Sequence, residues 1–326
     1  MKTNETMEKR TLGGTDLTLT TVGLGTWAIG GPWDWGWGPQ DDVESIRTIH
    51  EALDLGVNWI DTAPTYGLGH SESIVGKALA DRRHEVIIAT KCGLVWDDAS
   101  TGTVYGRLRG ESVRAEAEAS LRRLGVDHID LYQIHWPNPE AEIADAWETM
   151  AALKQEGKVR HIGVSNFSVA QLERVAAIHP VGSLQPPYSM LERGFEGELR
   201  PYCESENVGV VAYSPMQAGL LTGRFDLERL ESLPEGDWRL KNRHFQAPGF
   251  AHNLRIVEAL RPLAAQLDRS LAELAVAWTL RDPTVTAAIV GARRPGQISA
   301  TATASGFALP ADVAREIERI LTVGAI

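Results

Sequence analysis

Eight short runs of continuously apolar residues recur along this chain, and between them the apolar residues change to helical spacing. The runs lie at 21–24, 58–60, 86–90, 129–134, 160–164, around Leu184, at 208–212 and at 287–290. A strand that is apolar at every position is buried on both faces, as strands of parallel sheets are. The intervening segments 43–55, 71–79, 112–124, 143–155, 169–178 and 197–206 repeat apolar residues every three or four positions, as in Val43, Ile46, Ile49 and Leu53. They supply the right-handed crossovers that parallel strands require. A doubly wound sheet alternates in the same way. The count of eight, with a polar residue at nearly every strand end, favours closure into a (β/α)8 barrel of the α/β class.

Residues 10–12 and 17–19 flank Gly13-Gly14-Thr15-Asp16 and read as an N-terminal β-hairpin. Extra helices are expected at 253–267, 271–280, from Pro295 onward and at 311–321. The irregular stretch 217–249 is too long for a plain connection and is expected to be a functional loop. No linker or low-complexity segment divides the chain, so residues 1–326 are expected to form one barrel domain.

Charge and cysteine usage narrow the function classes. With a net charge of −11 and a pI of about 5.4, the chain is poorly suited to nucleic acid or an anionic membrane surface. An anionic ligand would need a local cluster of arginines. Cys92 and Cys203 form no disulfide framework and no metal-binding spacing, and a reducing, cytoplasmic setting follows. The first eight residues are polar and do not read as a signal peptide. No apolar run reaches the length of a membrane span. No HxH pair or convergent acid cluster suggests a metal. Nothing in the pattern assigns an oligomeric state.

Four polar residues sit at or just past the ends of successive apolar runs: Asp61, Tyr66, Lys91 and His135. In a barrel the C-terminal strand ends carry the chemistry. Singly, each has an ordinary explanation: a turn cap, a loop aromatic, a snorkelling lysine, a core histidine. Jointly they fit proton-coupled carbonyl reduction. A phenol can give the proton, but its pKa near 10 is poorly matched to neutral pH. A neighbouring ammonium lowers it, a carboxylate holds the ammonium, and a histidine adds a second hydrogen bond to the substrate oxygen.

The segments around these residues resemble the aldo-keto reductase signatures. They are Asp61-Thr62-Ala63-Pro64-Thr65-Tyr66-Gly67 with Ser71-Glu72, Lys91, Asp130-Leu131-Tyr132-Gln133-Ile134-His135, and 157–167 from Gly157-Lys158 to Ser165-Asn166-Phe167. The likeness runs from about Arg10 to about Gln297. It implies an NAD(P)H-dependent reductase of aldehydes and ketones with Asp61, Tyr66, Lys91 and His135 as its tetrad.

Gly23-Leu24-Gly25-Thr26 does not complete a GxGxxG frame and opens no helix, so a dinucleotide would lie along the strand ends instead. Gly25, Thr26, Trp27 and Asp61 would border it. The resemblance gives Ser165, Asn166, Gln185 and Tyr213 to the nicotinamide, and Ser214, Pro215, Gly219 and Leu220 to the pyrophosphate. Gly291-Ala292-Arg293-Arg294-Pro295-Gly296-Gln297 reads as a loop entering a helix N-terminus, a natural phosphate site. Arg293 with Gln297 suggests a 2′-phosphate, hence NADPH, with NADH as the other choice. The family usually carries an acid and an asparagine where Ala300 and Thr301 stand here.

Ten tryptophans are present, and six (Trp27, Trp33, Trp35, Trp37, Trp96 and Trp136) fall in or beside loops bordering the tetrad. Trp33, Trp35, Trp96 and Trp136 are expected to wall a pocket for a sugar-like or aromatic carbonyl compound. Asp34, Asp97 and Asp98 could accept substrate hydroxyls. Two other readings are a nucleotide-sensing subunit resembling potassium-channel β subunits and a metal-dependent barrel hydrolase or isomerase using Asp61 and His135. The acidic pI and the absence of a partner-binding extension count against the first, and the lack of a ligand cluster against the second.

Overall fold

A computed structural model describes residues 7–323; residues 1–6 and 324–326, including most of the polar N-terminal stretch, lie outside the described part. The chain opens with an antiparallel hairpin, β1 (Lys9–Thr11) and β2 (Thr18–Thr20). Its turn is pressed against the end of a later strand. Gly13 has φ +48°, and a Cβ there would meet the backbone N of Gly209 at 2.3 Å, so only glycine fits. Leu12, Leu17 and Leu19 thereby enter the barrel interior beside Trp59, Ala89, Leu131 and Val211.

The barrel begins with β3 (Val22–Gly25). Then come α1 (Asp42–Asp54), β4 (Trp59–Asp61), α2 (His70–Leu79) and β5 (Ile87–Cys92). A small antiparallel hairpin, β6 (Leu94–Val95) and β7 (Tyr105–Gly106), stands on the loop after β5. Next are α3 (Gly110–Leu124), β8 (Ile129–Ile134), α4 (Ile143–Gln155), β9 (Val159–Ser165), α5 (Val169–Ala176), β10 (Ser183–Gln185), α6 (Leu199–Ser205) and β11 (Gly209–Tyr213). After α7 (Leu227–Glu231), α8 (Gly249–Gln266) and α9 (Leu271–Leu280), β12 (Val285–Gly291) closes the ring. The chain then runs through α10 (Ser299–Ala302) and α11 (Ala311–Val323).

The eight barrel strands are parallel and closed, with β12 pairing β3. The expected (β/α)8 barrel with its hairpin and extra helices is therefore present. Caps fix several helix starts. Asp41 accepts from Glu44 N at 2.8 Å, and Ser168–Gln171 and Ser270–Glu273 form capping boxes.

Three details depart from the sequence reading. The stretch 217–249 is not irregular throughout: it folds α7 and several 3₁₀ turns over its own small core of Leu220, Phe225, Phe245 and Phe250. The helix expected at 253–267 starts earlier, at Gly249. The helix expected from Pro295 shrinks to the four residues of α10, because Gly296 takes φ +83° and breaks the helical path.

Candidate active site

Parallel pairing levels the strand ends. Gly25 lies beside Asp61, Lys91 beside Gln133, and Gln185 beside Ser165. Lys91 is fully buried, and its ammonium donates to Asp61 Oδ1 at 2.6 Å, Thr62 O at 2.9 Å and Tyr66 Oη at 3.2 Å. All three of its protons thus have acceptors. The other Asp61 oxygen accepts from Gln185 Nε2 at 2.8 Å. Tyr66 comes from the turn after β4. Gly67, at φ +66°, lies so close to Gly30 O that a Cβ would meet it at 1.8 Å, which pins the Tyr66 turn against the loop after β3. The His135 ring stands edge-on to Tyr66, centroids 5.8 Å apart, and its Nδ1 is buried without a partner among the described residues.

Burial, reinforced by the Asp61 charge, holds the Tyr66 phenol well above its ordinary pKa. Burial lowers Lys91, and Asp61 counteracts this. Burial, then the Lys91 charge, pushes His135 well below its ordinary value, so the ring is neutral at physiological pH. The constellation therefore offers a protonated phenol and a neutral imidazole around one buried cation.

Beside it, Ser165 Oγ donates to Gln185 O at 2.8 Å. The Asn166 amide donates to His135 O and Ser165 Oγ, each at 3.0 Å, and its oxygen accepts from Tyr213 Oη at 2.9 Å. Asn166 therefore acts as a bracket joining β8, β9 and β11. Gln185 Oε1 has no partner among the described residues and is the acceptor of this group free to meet a carboxamide. Thr26 binds Asp61 O through both its N–H and its hydroxyl, so it supports the site from the side. Ser214 and Gly219 take positive φ in the turn after β11, while the Leu220 side chain is buried in the small loop core.

The wall of four tryptophans is only partly assembled. Trp33 lies 6.5 Å from Tyr66, and Trp96 is half-buried on the β6 hairpin loop. A Cβ added at Gly102 of that loop would lie 3.5 Å from Asp34 Oδ1. Trp35 faces outward, 46% exposed, with the Lys241 ammonium 5.6 Å from its ring, and Trp136 is equally exposed. The ring lying flattest against Tyr66 is Trp27, 6.3 Å away and inclined by 28°. It packs against Trp37 and Trp238 in turn, at 5.6 and 4.6 Å. Trp238 was not expected at the site. Its only signal was membership of the long loop after β11.

The loop after β12 also differs from expectation. The Arg293 guanidinium binds Gln40 Oε1 and Pro39 O, and Gln297 Oε1 accepts from the backbone N–H groups of Arg293 and Arg294. Gly296 N donates to Glu51. With a four-residue helix behind it, this loop has no helix dipole to offer an anion.

A barrel alone leaves the chemistry open. The aldo/keto reductase family model matches residues 21–322. The chain belongs to the aldo/keto reductase family. It is 40% identical to the aldo-keto reductase YhdN of Bacillus subtilis (strain 168), over 97% of this chain and 94% of that one. It is 38% identical to the NADH-specific methylglyoxal reductase of Escherichia coli (strain K12), over 90% and 91%. The structure of the glycerol dehydrogenase AKR11B4 from Gluconobacter oxydans superposes with a TM-score of 0.87 at 40% identity, over 99% and 96%. As an aldo-keto reductase the protein is an oxidoreductase of the nicotinamide-dependent, carbonyl-reducing type. No helix among the described residues is long and apolar enough to cross a membrane. No group of three or more His, Cys, Asp and Glu among those residues is placed to hold a metal.

Proposed function

We propose that this protein reduces a small aldehyde or ketone to its alcohol, with NADPH as the hydride donor and Tyr66 as the proton donor. The observation that carries the reading is the buried Lys91 ammonium, shared between Asp61, Thr62 O and the Tyr66 hydroxyl. A bound dihydronicotinamide supplies the hydride. Tyr66 gives its proton to the carbonyl oxygen, and the adjacent ammonium stabilises the phenolate left behind. Neutral His135 adds a hydrogen bond to that oxygen, which polarises the carbonyl without placing a second cation beside Lys91. Trp27 and Trp33 flank the phenol and exclude water.

The residues fit a nicotinamide. Gln185 Oε1 offers a free acceptor for a carboxamide, and the half-buried Tyr213 ring is held by Asn166 as a flat face. The NADPH choice is supported by arginines from two loops. Arg229 and Arg239 both face the Phe225 ring, at 4.8 and 5.3 Å. Arg239 also covers Trp37 at 4.6 Å, next to the loop that holds Arg293. Burial first, and then these like charges, lower both Arg229 and Arg293. Arg224 and Arg294 are among the neighbours, and among the described residues the Arg294 side chain makes no hydrogen bond. The Arg239 guanidinium is itself paired with the buried Asp237 carboxylate, so the charge left for a ligand with several phosphates is that of Arg224, Arg229 and Arg294.

Two of the named relatives are named for three-carbon oxygenated compounds, methylglyoxal and glycerol, which favours substrates of that size. The test is initial-rate assay of the purified protein with methylglyoxal, glyceraldehyde and an aromatic aldehyde, each with NADPH and NADH. Turnover of a small aldehyde with NADPH preferred supports the reading. No oxidation of either dinucleotide with any carbonyl would overturn it.

A further inference from the structure

Gln133 is an amide in the wrong place for a structural residue. It lies in β8, whose six residues are all buried, and its own side chain is fully buried. Its Nε2 has no partner among the described residues. Leucine or methionine would fill that volume without leaving a buried donor unpaired. Its Oε1, however, lies 3.4 Å from Gln185 Nε2, the same nitrogen that donates to Asp61 Oδ2 at 2.8 Å. The two N–H bonds of Gln185 are therefore divided between Asp61 and Gln133.

We propose that Gln133 is a positioning residue that fixes which way the Gln185 amide faces and so prepares the cleft for a carboxamide. Turning Gln185 over would set its oxygen against the Asp61 carboxylate and the Gln133 carbonyl at once. Turning Gln133 over would set two N–H₂ groups against each other. The pair allows one arrangement, in which Gln185 Oε1, an acceptor, is left toward the cleft. An acceptor there selects a ligand that presents an N–H₂ group, as the nicotinamide carboxamide does. The same arrangement keeps Asp61 Oδ2 hydrogen-bonded, leaving Oδ1 for Lys91.

This inference rests on the proposed dinucleotide-dependent reduction, and its test separates the two. The variants are Gln133→Met, which has similar size and only a weak thioether acceptor, and Gln133→Glu, which keeps an oxygen acceptor facing Gln185. Thermal melts confirm that each is folded. Dissociation constants are read from quenching of tryptophan fluorescence by NADPH and by 2′,5′-ADP, which has the phosphates and no carboxamide. Gln133→Met should weaken NADPH binding roughly three- to tenfold, the loss of about one oriented hydrogen bond. It should leave 2′,5′-ADP unchanged, and Gln133→Glu should recover most of the NADPH affinity. Equal weakening for both ligands would overturn the proposal. So would wild-type NADPH binding by Gln133→Met, or a glutamate variant as impaired as the methionine one. If the wild-type protein binds neither ligand, the reductase reading falls too.

Discussion

Lys91 is the residue on which the site's electrostatics turn. A lone buried ammonium is costly, and here three acceptors compensate it. One of them is the group proposed to give up a proton. Tyr66→Phe keeps the ring contacts with Trp27 and Trp33 and removes only the hydroxyl. Its kcat for carbonyl reduction should fall by at least roughly 10²-fold, the usual contribution of a general acid, with dinucleotide binding little changed. Lys91→Met leaves the phenol with only the two influences that raise its pKa, burial and Asp61. Its rate should fall, and the alkaline limb of its pH–rate profile should move to higher pH. A lower rate with an unmoved limb would show that Lys91 does not tune Tyr66. The tryptophans can be sorted in the same way. Trp33→Ala should raise KM for a ring-bearing carbonyl more than for methylglyoxal, while Trp35→Ala, which removes an outward-facing ring, should leave both close to wild type.

At the scale of elements, the helix terminus expected after β12 is missing. The loop after β12 turns its backbone N–H groups onto Gln297 and Glu51, and Arg293 clamps it to Pro39 and Gln40. Any phosphate recognition must then come from side-chain charge, for which the loop after β11 offers Arg224 and Arg229, its Arg239 being paired with Asp237. The two arginines of the motif should accordingly behave differently. Arg294→Ala should weaken NADPH binding several-fold and NADH binding much less, because a charge-assisted contact to a 2′-phosphate is absent from NADH. Arg293→Ala releases the loop after β3 and should weaken both. Fluorescence titration with each dinucleotide reads the difference, and equal effects of the two substitutions would remove the 2′-phosphate role from Arg294.

For the whole molecule, stability and site share one carboxyl group. Glu116 of α3 accepts from Gly93 N at 2.9 Å, just past Lys91 on β5, and from Ser112 Oγ at 3.2 Å. Burial pushes it from the ordinary carboxylate value up to about 8. A carboxyl raised on folding favours the native state below its unfolded pKa, and that contribution is lost as pH rises through about 8. Glu116→Gln has no proton to lose. Its melting temperature should be close to wild type near pH 5 and should rise relative to wild type as pH approaches 9. A constant difference across that range would mean that Glu116 does not change protonation on folding.

The residue order along the chain was enough for the barrel and for the tetrad's placement. Periodicity and burial are local properties, and a strand that is apolar throughout, like 129–134, permits few surroundings. The same logic put Asp61, Lys91 and His135 at strand ends, since each follows its apolar run directly. What the order could not supply is how two segments far apart in sequence satisfy each other's polar groups. Nothing near Arg293 announces that Pro39 and Gln40 occupy its guanidinium, or that Glu51 takes the amide of Gly296. Trp238 reaches Trp27 across more than half the chain, and Gln133 meets Gln185 only because β8, β9 and β10 stand side by side. Apolar burial is non-directional and averages over many residues, so a pattern reveals it. A hydrogen bond depends on two particular atoms within about 3 Å, and that distance exists only once the ring of strands has closed.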